Sequence, residues 1–249
     1  MDYSVETNRA SIERSRLHLY SQRALKRTLD VVLSALGLVL LSPAMAVIAL
    51  LVKLGSPGPV IFRHRRIGQG GKPFDMYKFR SMLTGGDDKE YMHYLAQLIE
   101  SGRGEGRVCL PYCKMGTDSR VTRVGRVLRC LYLDELPQLW NVFKGDMSLV
   151  GPRPHVRFEV DHYLPHQRAR LSAKPGCTGL WQVAGKADCA FDELIDLDLE
   201  YIDHWCLRHD LQIMLKTAAL MLRGGEHVWA RRVKRVPGPK TGTSGTGSE

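Results

Sequence analysis

Asp134 and Glu135 are adjacent carboxylates set among cations: Arg120, Arg123, Arg126 and Arg129 precede them, and Arg153, between Pro152 and Pro154, follows. Such a set suits phosphate chemistry, because a metal ion on carboxylates and fixed guanidinium groups can neutralise a phosphoryl group in transfer. The local pattern also has a plainer reading. Asp134 can cap a helix whose first turn tolerates Pro137, since the proline's missing N–H would have no intrahelical partner there. Glu135 would then lie at the positive end of that helix, where an anion is favoured. The company of cations is what favours phosphate chemistry over capping alone.

The charge of the whole chain agrees. Lys+Arg number 36 against 26 Asp+Glu in 249 residues, a formal net charge of +10. An anionic partner follows: nucleic acid, anionic lipid or a phosphorylated substrate. The length suits one domain, or one with an appendage. Cys109, Cys113, Cys130, Cys177, Cys189 and Cys206 have no repeated spacing, and no second pair completes a zinc site beside the first two. They read as reduced thiols. His155, His162 and His166 read as surface or satisfied residues rather than metal ligands.

Val31 to Val52 is an uncharged run of 22 residues. At 1.5 Å per residue it reaches roughly 33 Å, enough to cross a bilayer. It does not read as a secretory signal peptide, because it begins only after Asp30 and no small-residue cleavage pattern follows. Ser42-Pro43 near its middle is expected to kink the helix. Basic residues flank both ends: Arg23, Lys26 and Arg27 before, then Lys53, Arg63, Arg65 and Arg66 after. A spanning helix should show that bias mainly on one side, so the flanks favour a helix that dips in and returns. Residues 1–25 read as an amphipathic helix on the membrane or as a flexible arm.

The elements that must position the carboxylates are short. Val60–Arg63 and Phe74–Arg80 read as strands around the turn Gly68–Lys72. Residues 84–116 look inserted, with a helix expected over Asp88–Glu100 and a mobile glycine-rich stretch after it. Thr117–Leu128 carries arginines at helical spacing, as a solvated face or as a phosphate or lipid contact. Lys174–Lys186 has turn and strand chemistry, and Phe191–Arg223 reads as helical with a break near His204–His209. From Pro237 the chain is low-complexity.

Several blocks together resemble the bacterial sugar transferase family, the monotopic polyprenyl-phosphate phosphoglycosyl transferases. They are KRTLD, Ser42-Pro43, GPVIFRHRRIGQGGKPFDMYKFRSM, RVTRVGRVLR, LDELPQLWNVFKGDMSLVGPRP, PGCTGLWQVAGK and LDLEYIDHWCLRHDLQIM. The resemblance implies an α+β, mostly helical fold: a re-entrant membrane helix and a small cytosolic catalytic domain with short strands and interfacial amphipathic helices. The expected divisions are the arm at 1–25, the membrane helix–break–helix at 26–56, the catalytic domain at 57–224 and a flexible tail at 225–249.

The resemblance also implies a reaction. Asp134 would be the nucleophile on a UDP-sugar, releasing UMP and passing a sugar 1-phosphate to undecaprenyl phosphate. Glu135 would help hold magnesium, or manganese in its stead, with Asp210 and Asp198 at further acidic positions. Lys78, Arg80, Arg129 and Arg153 would bind phosphate. Ser42 and Pro43 would make the membrane kink, with Ser42 satisfying backbone groups that Pro43 frees. The implied setting is the cytosolic face of a bacterial inner membrane, in contact with its phospholipid, supplying downstream glycosyltransferases, as a monomer or homodimer.

The chain departs from the family pattern in two places outside the insertion. CLYLDEL stands where small polar residues are commoner, so a different lining is expected beside Asp134. Lys186 stands where arginine is common, so a weaker anion contact is expected there. The rival reading is a non-catalytic, membrane-tethered basic protein that binds nucleic acid or anionic lipid. No nucleic-acid-binding motif supports it, and no nucleic-acid partner is expected.

Overall fold

A computed structural model of the chain describes residues 3–83, 93, 95–97, 99–100, 120–184 and 191–222, the stretch 3–20 as backbone only. The tail at 225–249, Lys186 and most of the 84–116 insertion lie outside the described residues. Those described between 93 and 100 are helical, as expected, and bury Leu95 and Ile99.

Helix α1 (Tyr3–Gly55) runs 53 residues. Of the two expectations for 1–25, helix or flexible arm, the described residues 3–25 are helical, and the helix is continuous through Ser42-Pro43, where a kink was expected. The physical reason at the proline is local. Pro43 has no N–H for the Val39 carbonyl four residues back, and the Ser42 hydroxyl donates to that carbonyl at 2.8 Å. The middle of α1 is bare of protein, with Val39 70% and Leu40 68% exposed. By length and composition α1 is apolar enough to cross a membrane.

Both ends of the apolar run are nonetheless tied to the rest of the chain. At its start, Lys26 Nζ donates to the Val150 carbonyl at 3.1 Å and Arg27 Nη1 to the Val142 carbonyl at 2.7 Å, while Asp30 accepts from the Leu149 N–H at 3.0 Å. At its end, Ile48 and Val52 pack with Phe79 and Leu128. There Arg80 Nη2 donates to the carbonyls of Val52 (3.2 Å) and Ser56 (2.7 Å).

Strands β1 (Ile61–Ile67) and β2 (Pro73–Phe79) pair antiparallel. Helix α2 (Arg123–Cys130) starts at Thr122, whose hydroxyl accepts from the Gly125 N–H at 2.8 Å. A Cβ on Gly125 would lie 2.0 Å from the Ser81 carbonyl oxygen, so only glycine lets α2 sit this close to the end of β2. Then come a 3₁₀ turn (Leu133–Glu135), helix α3 (Gln138–Lys144), β3 (Ser148–Val150) and helix α4 (Arg157–Asp161). A second 3₁₀ segment (His166–Ser172) leads to β4 (Gly176–Thr178), which pairs parallel with β3.

Within Lys174–Lys186, read as turn and strand, β4 supplies the strand, and helix α5 (Leu180–Val183) follows it. Helices α6 (Phe191–Asp203) and α7 (Leu207–Leu222) are parted where the sequence placed the break. The fold is therefore mostly helical with few short strands. Val127, Leu131, Trp140, Phe143, Leu211 and Leu215 are exposed on α2, α3, α7 and the loop after α2.

Candidate active site

The 3₁₀ turn that carries the carboxylates is held from below. Leu133 and Leu136 pack on the cluster of Ile48, Val52, Phe79 and Leu128. Tyr132, just before it, has φ 56° and ψ 17°, the only non-glycine residue with positive φ among the described residues. Left-handed backbone at a bulky residue costs free energy, so packing must impose it. Asp134 was placed by the sequence at the N-cap of a helix. It lies inside the turn and is only 8% exposed. The apolar floor under Leu133 and Leu136 draws the carboxylate in with it.

Lys78 on β2 reaches Glu135 and donates to Oε1 at 2.5 Å, with side chains 15% and 20% exposed. Burial alone would raise the Glu135 pKa, but Lys78 and Arg153, with hydrogen bonds from Lys78 and Gln138, hold it below its ordinary value. Asp134 is shifted the other way. Burial raises it, Lys78 and Arg129 oppose the rise, and the neighbouring Glu135 charge adds to it. One carboxylate is thus held firmly ionised, while its neighbour is made the stronger base.

Arg153 sits on the loop after β3, its guanidinium 5.8 Å from the centre of the Trp181 ring. Arg170 fixes that loop from behind: it donates to the Arg153 carbonyl, to Asp198 Oδ2 (Nε, 2.8 Å) and to the Tyr163 hydroxyl (2.6 Å). Arg66 Nη1 adds a bond to the Pro154 carbonyl at 3.1 Å.

The structure thus gathers Lys78, Arg129, Asp134, Glu135 and Arg153. Three further expected site residues have strong partners of their own. Arg80 closes the end of α1. Asp198 is buried against Arg170 at 2.7 Å. Asp210 is bonded by Lys26 Nζ (2.5 Å), the Tyr201 hydroxyl (2.7 Å) and Trp205 Nε1 (3.2 Å). Ser42 and Pro43 stay in the bare middle of α1. Gln138, Arg66 and Arg170 were missed; Arg66 lay inside a block already singled out, but nothing in its spacing marked it.

Among the described residues no three His, Cys, Asp or Glu side chains form a metal-binding group. Asp134 and Glu135 still fit a magnesium ion, which is commonly held by one or two carboxylates with substrate phosphates and water as the remaining ligands. Asp198 and Asp210 fit less well, since their side chains are 2% and 5% exposed against 20% for Glu135.

A family model described as bacterial sugar transferase matches residues 21–224. The chain belongs to that family. It is 44% identical over 203 residues to the undecaprenyl-phosphate galactose phosphotransferase of Salmonella typhimurium, covering 82% of this chain and 41% of that protein. It is 43% identical over 205 residues to the UDP-glucose:undecaprenyl-phosphate glucose-1-phosphate transferase of Caulobacter vibrioides, covering 79% and 69%. To the exopolysaccharide production protein ExoY of Rhizobium meliloti it is 40% identical over 203 residues, covering 80% and 87%. The chain spans about two fifths of the first of these relatives and most of the last.

Proposed function

We propose that the chain transfers a sugar 1-phosphate from a UDP-sugar to undecaprenyl phosphate through Asp134. The carrying observation is the buried Asp134 beside the Lys78–Glu135 pair, a nucleophile candidate next to a fixed charge pair. A carboxylate is a weak nucleophile toward an anionic diphosphate, so the site must raise its basicity and offset the substrate's charge. Burial does the first, and Lys78, Arg129 and Arg153 do the second.

In the first half-reaction an Asp134 carboxylate oxygen forms a bond to the sugar-bearing phosphorus. The bond from that phosphorus to the bridging oxygen breaks, and UMP leaves with the electron pair. In the second, a phosphate oxygen of the polyprenyl phosphate attacks the same phosphorus and the Asp134 carboxylate departs. The product is a polyprenyl diphosphate sugar, a substrate for downstream glycosyltransferases. Magnesium held by Glu135 and Asp134 would neutralise diphosphate charge.

The polyprenyl acceptor requires the bilayer, and the proposed topology is re-entrant on the cytosolic face. What supports it is that Lys26, Arg27 and Asp30 at one end of the apolar run, and Val52 and Ser56 at the other, contact one domain. A helix crossing the membrane would part those ends.

Intact-mass measurement with a UDP-sugar and no lipid acceptor should show one phosphosugar adduct on the protein. Asp134→Asn should abolish the adduct and lower turnover at least ~10³-fold. Turnover that survived Asp134→Asn would exclude the covalent route.

A further inference from the structure

We propose that His64 is a substrate contact, donating its Nε2–H to the diphosphate of the nucleotide-sugar between Lys78 and Arg153. The inference rests on the UDP-sugar reading above and adds a residue to it.

The hairpin register carries the placement. Phe62 pairs with Lys78, His64 with Met76 and Arg66 with Phe74. Residues directly opposite one another share a face, and so do alternate residues along a strand. His64 is therefore the diagonal neighbour of Lys78 on one face of the hairpin. Its other neighbour on that face, Arg66, is bonded to the Pro154 carbonyl, one residue from Arg153. The Ile67 N–H adds a bond to the His155 carbonyl at 2.9 Å, so β1 is stitched directly to the loop of Arg153. His64 thus bridges the two cationic sides of the site, the Lys78–Glu135 side and the Arg153 side.

Its protonation follows from its partners. Arg66 Nη2 lies 3.3 Å from His64 Nδ1, and a guanidinium only donates, so Nδ1 accepts. In a neutral imidazole the proton then sits on Nε2. Burial, and then the charges of Arg66, Lys78 and Arg153, lower the His64 pKa to about 3. A histidine kept neutral among three cations avoids repelling them and keeps one donor for an anion. The tilted contact with Phe62, ring centres 5.6 Å apart, holds the ring in place.

The test is isothermal titration of the full chain in detergent with UDP and, separately, with uridine. His64→Ala should weaken UDP binding about 10–100-fold, the range for a lost hydrogen bond to a charged group. Uridine binding should be unchanged. His64→Gln, whose amide N–H₂ can reach the same region, should recover part of the loss. His64→Leu, which keeps the bulk against Phe62, should behave like alanine and serves if alanine lowers the unfolding temperature. Equal UDP affinity in wild type and both apolar variants would overturn the contact while leaving the transferase reading intact. A wild-type chain that bound no UDP would overturn the transferase reading, and the His64 contact with it.

Discussion

Asp134 is pulled in opposite directions, and its behaviour in acid follows from which pull is removed. Burial raises its pKa and Lys78 is the largest opposing influence. A carboxylate with a raised folded-state pKa favours folding while protonated, and that contribution is lost as pH rises from the unfolded value of 3.8 through the folded one. Attack needs the ionised form, so adduct formation should fall away in acid with a midpoint above the ordinary aspartate range. Lys78→Met should move that midpoint to still higher pH, as read from the rate of adduct formation against pH. An unmoved midpoint would mean that Lys78 does not act on the nucleophile. Residue types and blocks pointed to Asp134, Glu135, Lys78 and Arg153. The burial of Asp134 was not legible, because it depends on Leu133 and Leu136 landing on side chains from α1, β2 and α2.

At the scale of elements, α1 was legible as an apolar helix and β1–β2 as a hairpin, since both rest on local patterning. The fate of Pro43 was only half legible. Proline predicts a missing backbone bond, but whether a hydroxyl fills it depends on the Ser42 rotamer. Arg80 shows the same limit: it stands two residues from Lys78, yet its Nη2 serves the end of α1 rather than the carboxylates. The docking of both ends of α1 bears on topology. In a background lacking the other cysteines but keeping the exposed Cys130 as reference, Leu25→Cys and Phe62→Cys should react with an impermeant thiol reagent from the same membrane face as Cys130. Labelling of the two from opposite faces would mean that α1 crosses the bilayer.

At the scale of the molecule, one polar knot joins α1, β3, α6 and α7. Lys26 bonds Asp210 and the Val150 carbonyl, and Tyr201 bonds the same two groups. Lys26→Met would leave the 5%-exposed Asp210 carboxylate without its cation, at a cost on the order of 2 kcal/mol. Thermal unfolding in detergent should show the loss, and Lys26→Arg should recover part of it. An unchanged midpoint would mean that the pair contributes nothing net. The KRTLD block stood out in the sequence, but its purpose did not, because its partners lie more than a hundred residues downstream.

That separation also sets an order of events at the ribosome. Lys26 and Asp210 are 184 residues apart, so at ordinary synthesis rates α1 emerges roughly 10–40 s before its counter-ion exists. Val142, Leu149 and Val150, which bond Arg27, Asp30 and Lys26, come 115–124 residues after them, so over that shorter interval the three side chains have no partner in the chain. The far end of the apolar run meets Phe79 and Arg80 within 28 residues of Val52, so the two ends of one helix acquire their partners at well-separated times.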